Sequence, residues 1–175
     1  VIEPIIAQSF EVETTHYFSV LPTATPFARN ALFSGLFPVE IEARHPQWWG
    51  ERDDESLNAH ERELLEAQLD DLHKRVPVRY EKINTTLDAN DLERRLSNAI
   101  APDGISAFVF NFIDLLTHGR SESAILYEVA RDEIALRQLT HQWFLRSPLL
   151  AVLEEAARRG LKVLLTSDHG SIHCN

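Results

Sequence analysis

The sequence predicts an α/β fold, in which helices flank a doubly wound, mostly parallel sheet. Three continuous apolar segments, rich in aromatic and β-branched residues, predict buried strands at 16–21, 106–113 and 161–167. Their apolar character does not alternate, which indicates that both faces of the sheet are covered. Helical patterns separate the segments, and strands that alternate with helices are typical of doubly wound sheets.

Between these strands the sequence predicts five helices, at 26–36, 56–76, 88–100, 121–140 and 147–159. The first follows Thr25-Pro26, which places a proline in the first helical turn. Leucines recur at helical spacing in the second, and acidic residues at the start of the third suit the helix dipole. Gly160 is a helix-terminating glycine directly after the fifth predicted helix, 147–159.

The middle of the chain, residues 41–100, is more polar than the rest and separates two of the predicted strands. This composition predicts a helical cap insertion over the functional edge of the sheet. A solvated crossover connection explains the same pattern equally well. Both interpretations stay open at the level of sequence.

Charge and composition exclude several functional classes. A net charge of −10 over 175 residues argues against general electrostatic binding to nucleic acid or anionic membranes, although a small site with bound metal carries its own positive charge. The single cysteine, Cys174, excludes an internal disulfide and fits a cytoplasmic location. No apolar run reaches the roughly 20 residues of a membrane span. Since the chain has no basic leader and no methionine, we expect no signal peptide and an excerpt of a longer chain.

Thr25 is the first candidate functional residue, because it lies between a predicted strand and a predicted helix. The free N–H groups at a helix start favour an anion such as phosphate, and a metal ion or base can activate a threonine hydroxyl as a nucleophile. Arg29, one turn further on, is placed to orient an anionic substrate. The structural alternative is an N-cap threonine before a first-turn proline, and taken alone it explains this segment better.

Two further candidate groups follow the other predicted strands. Asp114 and His118 are four residues apart, so a helical turn would place both on one face, where a carboxylate and an imidazole suit a zinc-type metal. Asp168 and His169 end the last predicted strand, and Gly170 permits a tight turn after them. Because ligand sites of α/β sheets gather at the carboxyl ends of strands, we expect all three groups to meet at one edge.

In this order, residues 17–41, 111–123 and 164–170 resemble the PglZ domain of the alkaline phosphatase superfamily. The resemblance implies an alkaline-phosphatase-like fold, with residues 1–175 forming part of one such domain. It is strongest to the PglZ domain that follows a receiver domain in Bacteroidetes response regulators of the type IX secretion system. That placement implies a two-component phosphorelay and a cytoplasmic protein.

The resemblance also implies roles for five of the candidate residues. Thr25 matches the nucleophile and, with Asp168 and His169, the ligands of one metal ion. Asp114 and His118 match ligands of a second ion, so that two divalent ions of zinc type form the expected cofactor.

The resemblance further implies two ligands that have no counterpart in the sequence. One is an acidic residue just before Val1, and the other is a histidine beyond Asn175. His173 is interpreted instead as a solvated turn histidine.

Hydrolysis of phosphodiesters, in particular of small oligonucleotides, is the activity that the resemblance implies. Trp48 and Trp49 offer stacking surfaces for bases, although packing under a loop is the better interpretation of these residues. A phosphomonoesterase or a related group transferase is a weaker possibility. The alternative from a different functional class is a non-catalytic output module that binds a secretion-system or sigma-factor partner. A homodimer is expected for the full-length protein.

Overall fold

The computed structural model describes residues 1–49 and 58–170. In this part of the chain it contains a two-stranded parallel sheet and ten helices. The elements follow one another as α1 (Glu3–Ile6), α2 (Thr25–Ser34), α3 (Pro38–Arg44), α4 (Glu61–Asp71), β1 (Val78–Ile83), α5 (Thr86–Arg94), α6 (Leu96–Ala99), β2 (Ile105–Phe110), α7 (Phe112–Glu122), α8 (Ala124–Val129), α9 (Glu133–Phe144) and α10 (Pro148–Arg158). The mixed α/β class is therefore as predicted.

The chain divides into two compact units. We call them the sheet unit, formed by residues 1–14 and 79–164, and the site unit, formed by the described residues of 15–78 and 165–175. The predicted cap insertion, 41–100, is divided between these units and contains β1 as well as helices. Its role as a cap stays a prediction.

In the site unit, α2 packs against α4 and α3. Pro26 lies in the first turn of α2, and the helix ends at Gly35, which adopts a φ of +67° that residues with a Cβ rarely take. The interior of this unit is built from small or branched side chains, namely Ala28, Ala31, Ile41, Leu64, Leu65 and Leu69. The tight packing of α2 on α4 fixes where the first turn of α2 lies.

The core of the sheet unit lies between its sheet and its last helix. Ile83, Leu92, Ala99 and Val152 are buried together, with Phe108 and other partly buried side chains packed against them. Helix α10 contacts α5 and α6, begins at the capping residue Ser147 and is followed by Gly160 with a φ of +65°. The predicted helix at 147–159 is thus confirmed, as is the helix after Thr25-Pro26.

Two of the three strand predictions are wrong. The segment 106–113 contains β2, but 16–21 and 161–167 form no strand, and both are described. Phe18 and Leu164 are exposed, so these apolar residues are not buried as a central strand requires. The two segments are not paired as strands, but a side chain links them: Tyr17 Oη donates a hydrogen bond to the Ser167 carbonyl.

Other differences concern helices and a strand with charged residues. The prediction missed β1, because its sequence VRYEKI contains three charged side chains and no continuous apolar run. The predicted helix 121–140 is interrupted between α8 and α9, because Asp132 accepts a hydrogen bond from Ala135 N and so starts a new helix. A doubly wound sheet needs more strands than the two in the described residues, so this finer arrangement stays a prediction.

The helices in the described ranges, 1–49 and 58–170, are too short or too polar to cross a bilayer.

Candidate active site

Thr25 is the first residue of α2, and its side chain does not cap the helix. Ala24 is the N-cap, with extended backbone angles (φ −110°, ψ 143°). The Thr25 Oγ1 atom instead lies 2.9 Å from His169 Nε2, within the site unit. The N-cap interpretation of Thr25 is therefore wrong, and its hydroxyl is directed at His169. The role of Thr25 as a nucleophile stays a prediction.

His169 is oriented so that its Nε2 atom faces the threonine. Its other ring nitrogen, Nδ1, lies 3.1 Å from the Gly170 carbonyl oxygen, which can only accept a hydrogen bond. The neutral tautomer that satisfies both contacts carries its proton on Nδ1. In that tautomer Nε2 is an acceptor for the Thr25 hydroxyl, and the same lone pair is the one that a metal ion would use.

Asp168 is fixed by contacts to both its backbone and its carboxylate. Ser19 Oγ donates to the Asp168 carbonyl at 2.6 Å, and the His169 backbone N–H donates to Oδ1 at 3.1 Å. Arg29 Nε donates to Oδ2 at 3.2 Å, and His169 Nε2 lies 4.0 Å from the same oxygen. Asp168 and His169 thus lie side by side at the N-terminus of α2.

Arg29, predicted to bind substrate, is buried between two carboxylates. Its side chain is 8% exposed, and its guanidinium lies 3.6 Å from Glu61 Oε1 as well as against Asp168. Glu61 begins α4 and its side chain is 1% exposed. The sequence analysis missed Glu61, although a signal was present: Glu61 precedes Leu64 and Leu65 by three and four residues and therefore shares their buried helix face.

A pair of buried asparagines supports the first turn of α2. Asn58 Nδ2 donates to Asn30 Oδ1 at 3.3 Å and reaches the Thr25 carbonyl oxygen at 3.5 Å. Asn30 is fully buried. These contacts tie the backbone of Thr25 to the segment that leads into α4, and no sequence signal pointed to either residue.

Asp114 and His118 lie one turn apart on α7, so the predicted helical spacing is present. Asp114 is partly buried and His118 is exposed. Both belong to the sheet unit, whereas Thr25, Asp168 and His169 belong to the site unit. Within the site unit the structure brings Asp168 and His169 together with Thr25, and the role of Asp114 and His118 stays a prediction.

The donors around Thr25 suit a zinc-type ion by their chemistry. They offer a hydroxyl oxygen, a carboxylate oxygen and an imidazole nitrogen whose second nitrogen bonds a carbonyl, as in many metal-binding histidines. Within residues 1–49 and 58–170 there is no group of three or more His, Cys, Asp or Glu side chains that could hold an ion. His173 lies outside the described residues.

The two tryptophans proposed as stacking surfaces already pack on protein rings. Trp48 stacks on His45 with a centroid distance of 4.6 Å, and Trp49 contacts Phe27 at 5.9 Å. Both are partly buried. These contacts favour packing over base stacking as the main role of Trp48 and Trp49.

A family model described as the BREX system PglZ alkaline phosphatase-like domain matches residues 5–175. No curated protein matches the sequence.

Proposed function

We propose that this chain, which belongs to the PglZ alkaline phosphatase-like domain family, is a metal-dependent phosphodiesterase with Thr25 as its nucleophile. Membership of this phosphoesterase superfamily supports a hydrolytic activity. The observation that carries the proposal is the 2.9 Å contact between Thr25 Oγ1 and His169 Nε2. It joins two parts of the sequence that the superfamily resemblance assigns to one reaction centre.

Thr25 is the residue that attacks phosphorus in this proposal. Its Oγ1 atom forms the new P–O bond as the bond to the leaving alcohol breaks. The hydroxyl proton passes to water, since His169 Nε2 would hold the ion, and water returns a proton to the leaving alkoxide. Water then cleaves the phosphothreonine ester and releases the product. The N-terminus of α2 favours the negative charge of the phosphoryl group, because the N–H groups of its first turn point outward along the axis.

The chain offers a partial set of ligands for the divalent ions of this family. Thr25, Asp168 and His169 would hold one ion, and Asp114 and His118 are proposed for the second. Bound there, zinc-type ions would lower the pKa of the threonine hydroxyl and neutralise charge on the phosphoryl oxygens. Arg29 donates a hydrogen bond to Asp168 Oδ2, and its burial argues against direct contact with substrate.

Small phosphodiesters, including short oligonucleotides, are the proposed substrates. The net charge of −10 disfavours long duplex nucleic acid, whose phosphates require extended basic surfaces. The wider setting that we propose is a PorX-like response regulator of the type IX secretion system, in which this chain is part of a doubly wound, cytoplasmic output domain. Homodimers and a secretion-system or sigma-factor partner belong to the same proposal.

A mainly partner-binding output module is the second candidate function. The ion pair between Arg29 and Asp168 supports it, because the guanidinium already balances the carboxylate that a catalytic metal would use. A zinc-loaded chain that hydrolyses no phosphodiester but binds a partner would favour this function over the first.

Hydrolysis of bis(p-nitrophenyl) phosphate by the zinc-loaded chain tests the proposal, with p-nitrophenyl phosphate as the competing monoester. We expect the diester to be preferred and chelation by EDTA to abolish turnover. Thr25→Ala should lower kcat by roughly a thousandfold or more, because it removes the nucleophile. Thr25→Ser, which keeps a hydroxyl, should retain measurable turnover.

Thr23→Ala is the matched control, since Thr23 lies two residues before Thr25 and is exposed. It should leave kcat unchanged. Full activity in Thr25→Ala would remove Thr25 from the nucleophile role.

A further inference from the structure

Three charged side chains form a buried row behind the Thr25–His169 contact. Asp168, Arg29 and Glu61 are 13%, 8% and 1% exposed in their side chains, and Arg29 contacts both carboxylates. Asp168 and Arg29 were expected near a site, but neither the sequence analysis nor the family match assigns a role to Glu61. All three belong to the site unit.

The charge of this row bears on cation binding at Asp168. With both acids ionised, the three groups carry a net charge of −1. A neutral Arg29–Asp168 pair would attract a divalent ion only weakly, because Arg29 already occupies Oδ2. With Glu61 present, Arg29 keeps a buried carboxylate beside its guanidinium when Asp168 turns to an ion.

We propose that Glu61 is a positioning residue for metal binding, and that it acts through Arg29. By sharing the guanidinium with Asp168, Glu61 weakens the competition that Arg29 offers to a cation and supplies the negative charge that makes ion uptake favourable. This inference rests on the proposed metal-dependent function, since it concerns the ion that Thr25, Asp168 and His169 would hold.

The expected effects have opposite signs for the two members of the pair. Glu61→Gln keeps the size of the side chain but removes the charge, so the dissociation constant for Zn²⁺ should rise roughly tenfold. Arg29→Gln removes the competing cation, so the constant should fall by a similar factor. The double variant restores the net charge of −1 and should bind Zn²⁺ nearly as the wild type does.

The measurement is a titration of the full 175-residue chain with Zn²⁺ in competition with a chromophoric chelator. The absorption spectrum of bound Co²⁺ serves as a second readout of the ligand set. Glu66→Gln is the matched control, because Glu66 lies on the same helix, is paired with Arg62 and is partly exposed. It should leave the zinc affinity unchanged, and circular dichroism establishes that each variant is folded.

A purely structural role makes a different prediction, namely that every variant, including Arg29→Gln, binds Zn²⁺ more weakly. That result, or an unchanged affinity in Glu61→Gln, overturns the inference while leaving the proposed hydrolysis intact. Should Arg29→Gln not fold, Arg29→Lys replaces it: retained affinity in this variant together with weakened binding in Glu61→Gln supports the charge-based role, and a loss in both overturns it.

The proposed function fails separately, if the wild type binds Zn²⁺ but cleaves no phosphodiester. In that case the signs of the affinity changes still decide the role of Glu61. A wild-type chain that binds no divalent ion overturns both proposals.

Discussion

Thr25 Oγ1 and His169 Nε2 lie 2.9 Å apart, although 144 positions separate the two residues in the chain. A contact at that sequence separation requires tertiary structure, because closing so long a loop carries an entropic cost that local interactions do not offset. Ser19 adds a second link at the same place by donating to the Asp168 carbonyl. The candidate site therefore exists only in the folded site unit.

Replacing His169 should affect metal binding and turnover together. In His169→Ala the Nε2 acceptor of the Thr25 hydroxyl and one expected metal ligand are lost, so we predict at least a tenfold weaker affinity for Zn²⁺. His16→Ala, at an exposed histidine of the same unit, is the control and should match the wild type. Unchanged zinc affinity in His169→Ala, measured by competition titration, would exclude this residue as a ligand.

Asp114 and His118 are predicted to hold the second ion. Asp114→Asn and His118→Ala should each lower the number of zinc ions bound per chain, as determined by elemental analysis after dialysis, because each removes one ligand. His141→Ala, on helix α9 of the same unit, should leave the stoichiometry unchanged. If both variants retain the wild-type stoichiometry, the assignment of these two residues is wrong.

The capping box at the start of α5 should make stability depend on pH. The pKa of Asp88 is lowered from its ordinary value of 3.8, chiefly by the Asn84 backbone N–H and then by Thr85, whose backbone and hydroxyl also bond it. Because the ionised form is favoured in the folded state, its stabilisation is full above pH 3.8 and is lost as the pH falls through the lowered value.

Asp88→Asn tests this dependence by urea unfolding over a range of pH. The wild type should be more stable than the variant at neutral pH, and the difference should shrink in acid below 3.8. Glu93→Gln is the control, because it removes one negative charge from the exposed side of the same helix without touching the capping box. A difference that stays constant with pH would contradict the prediction.

Two helix-terminating glycines should differ in their tolerance of alanine. Gly35 and Gly160 have φ values of +67° and +65°, so alanine at either should cost about 1 kcal/mol of unfolding free energy from backbone strain alone. At Gly35 a Cβ would also lie 2.5 Å from Gln68 Nε2 on α4, whereas nothing lies within 4 Å at Gly160.

We therefore predict that Gly35→Ala destabilises the protein more than Gly160→Ala, since Gln68 must move within the α2–α4 packing. Urea unfolding of both variants measures the difference. Equal losses would show that the Gln68 side chain accommodates the methyl group without cost.

The helices could be predicted from the sequence because their signals are local. Pro26 in a first turn and glycines at positive φ fix the beginning and end of a helix through the backbone of a few residues. The strands were less predictable, because apolar character alone does not create a neighbouring strand. The segments 16–21 and 161–167 are apolar but remain unpaired as strands, whereas the charged segment β1 pairs with β2.

For the candidate site, the sequence by itself determined which chemical groups were available: the hydroxyl of Thr25 at a helix start and the Asp168-His169 pair followed by glycine. The tertiary structure alone decided their partners. It placed Thr25 against His169 rather than at the N-cap, and it buried Arg29 between Asp168 and Glu61. The physical reason is that a side chain's partners depend on helix packing between distant parts of the chain, whereas helix ends depend on neighbouring residues.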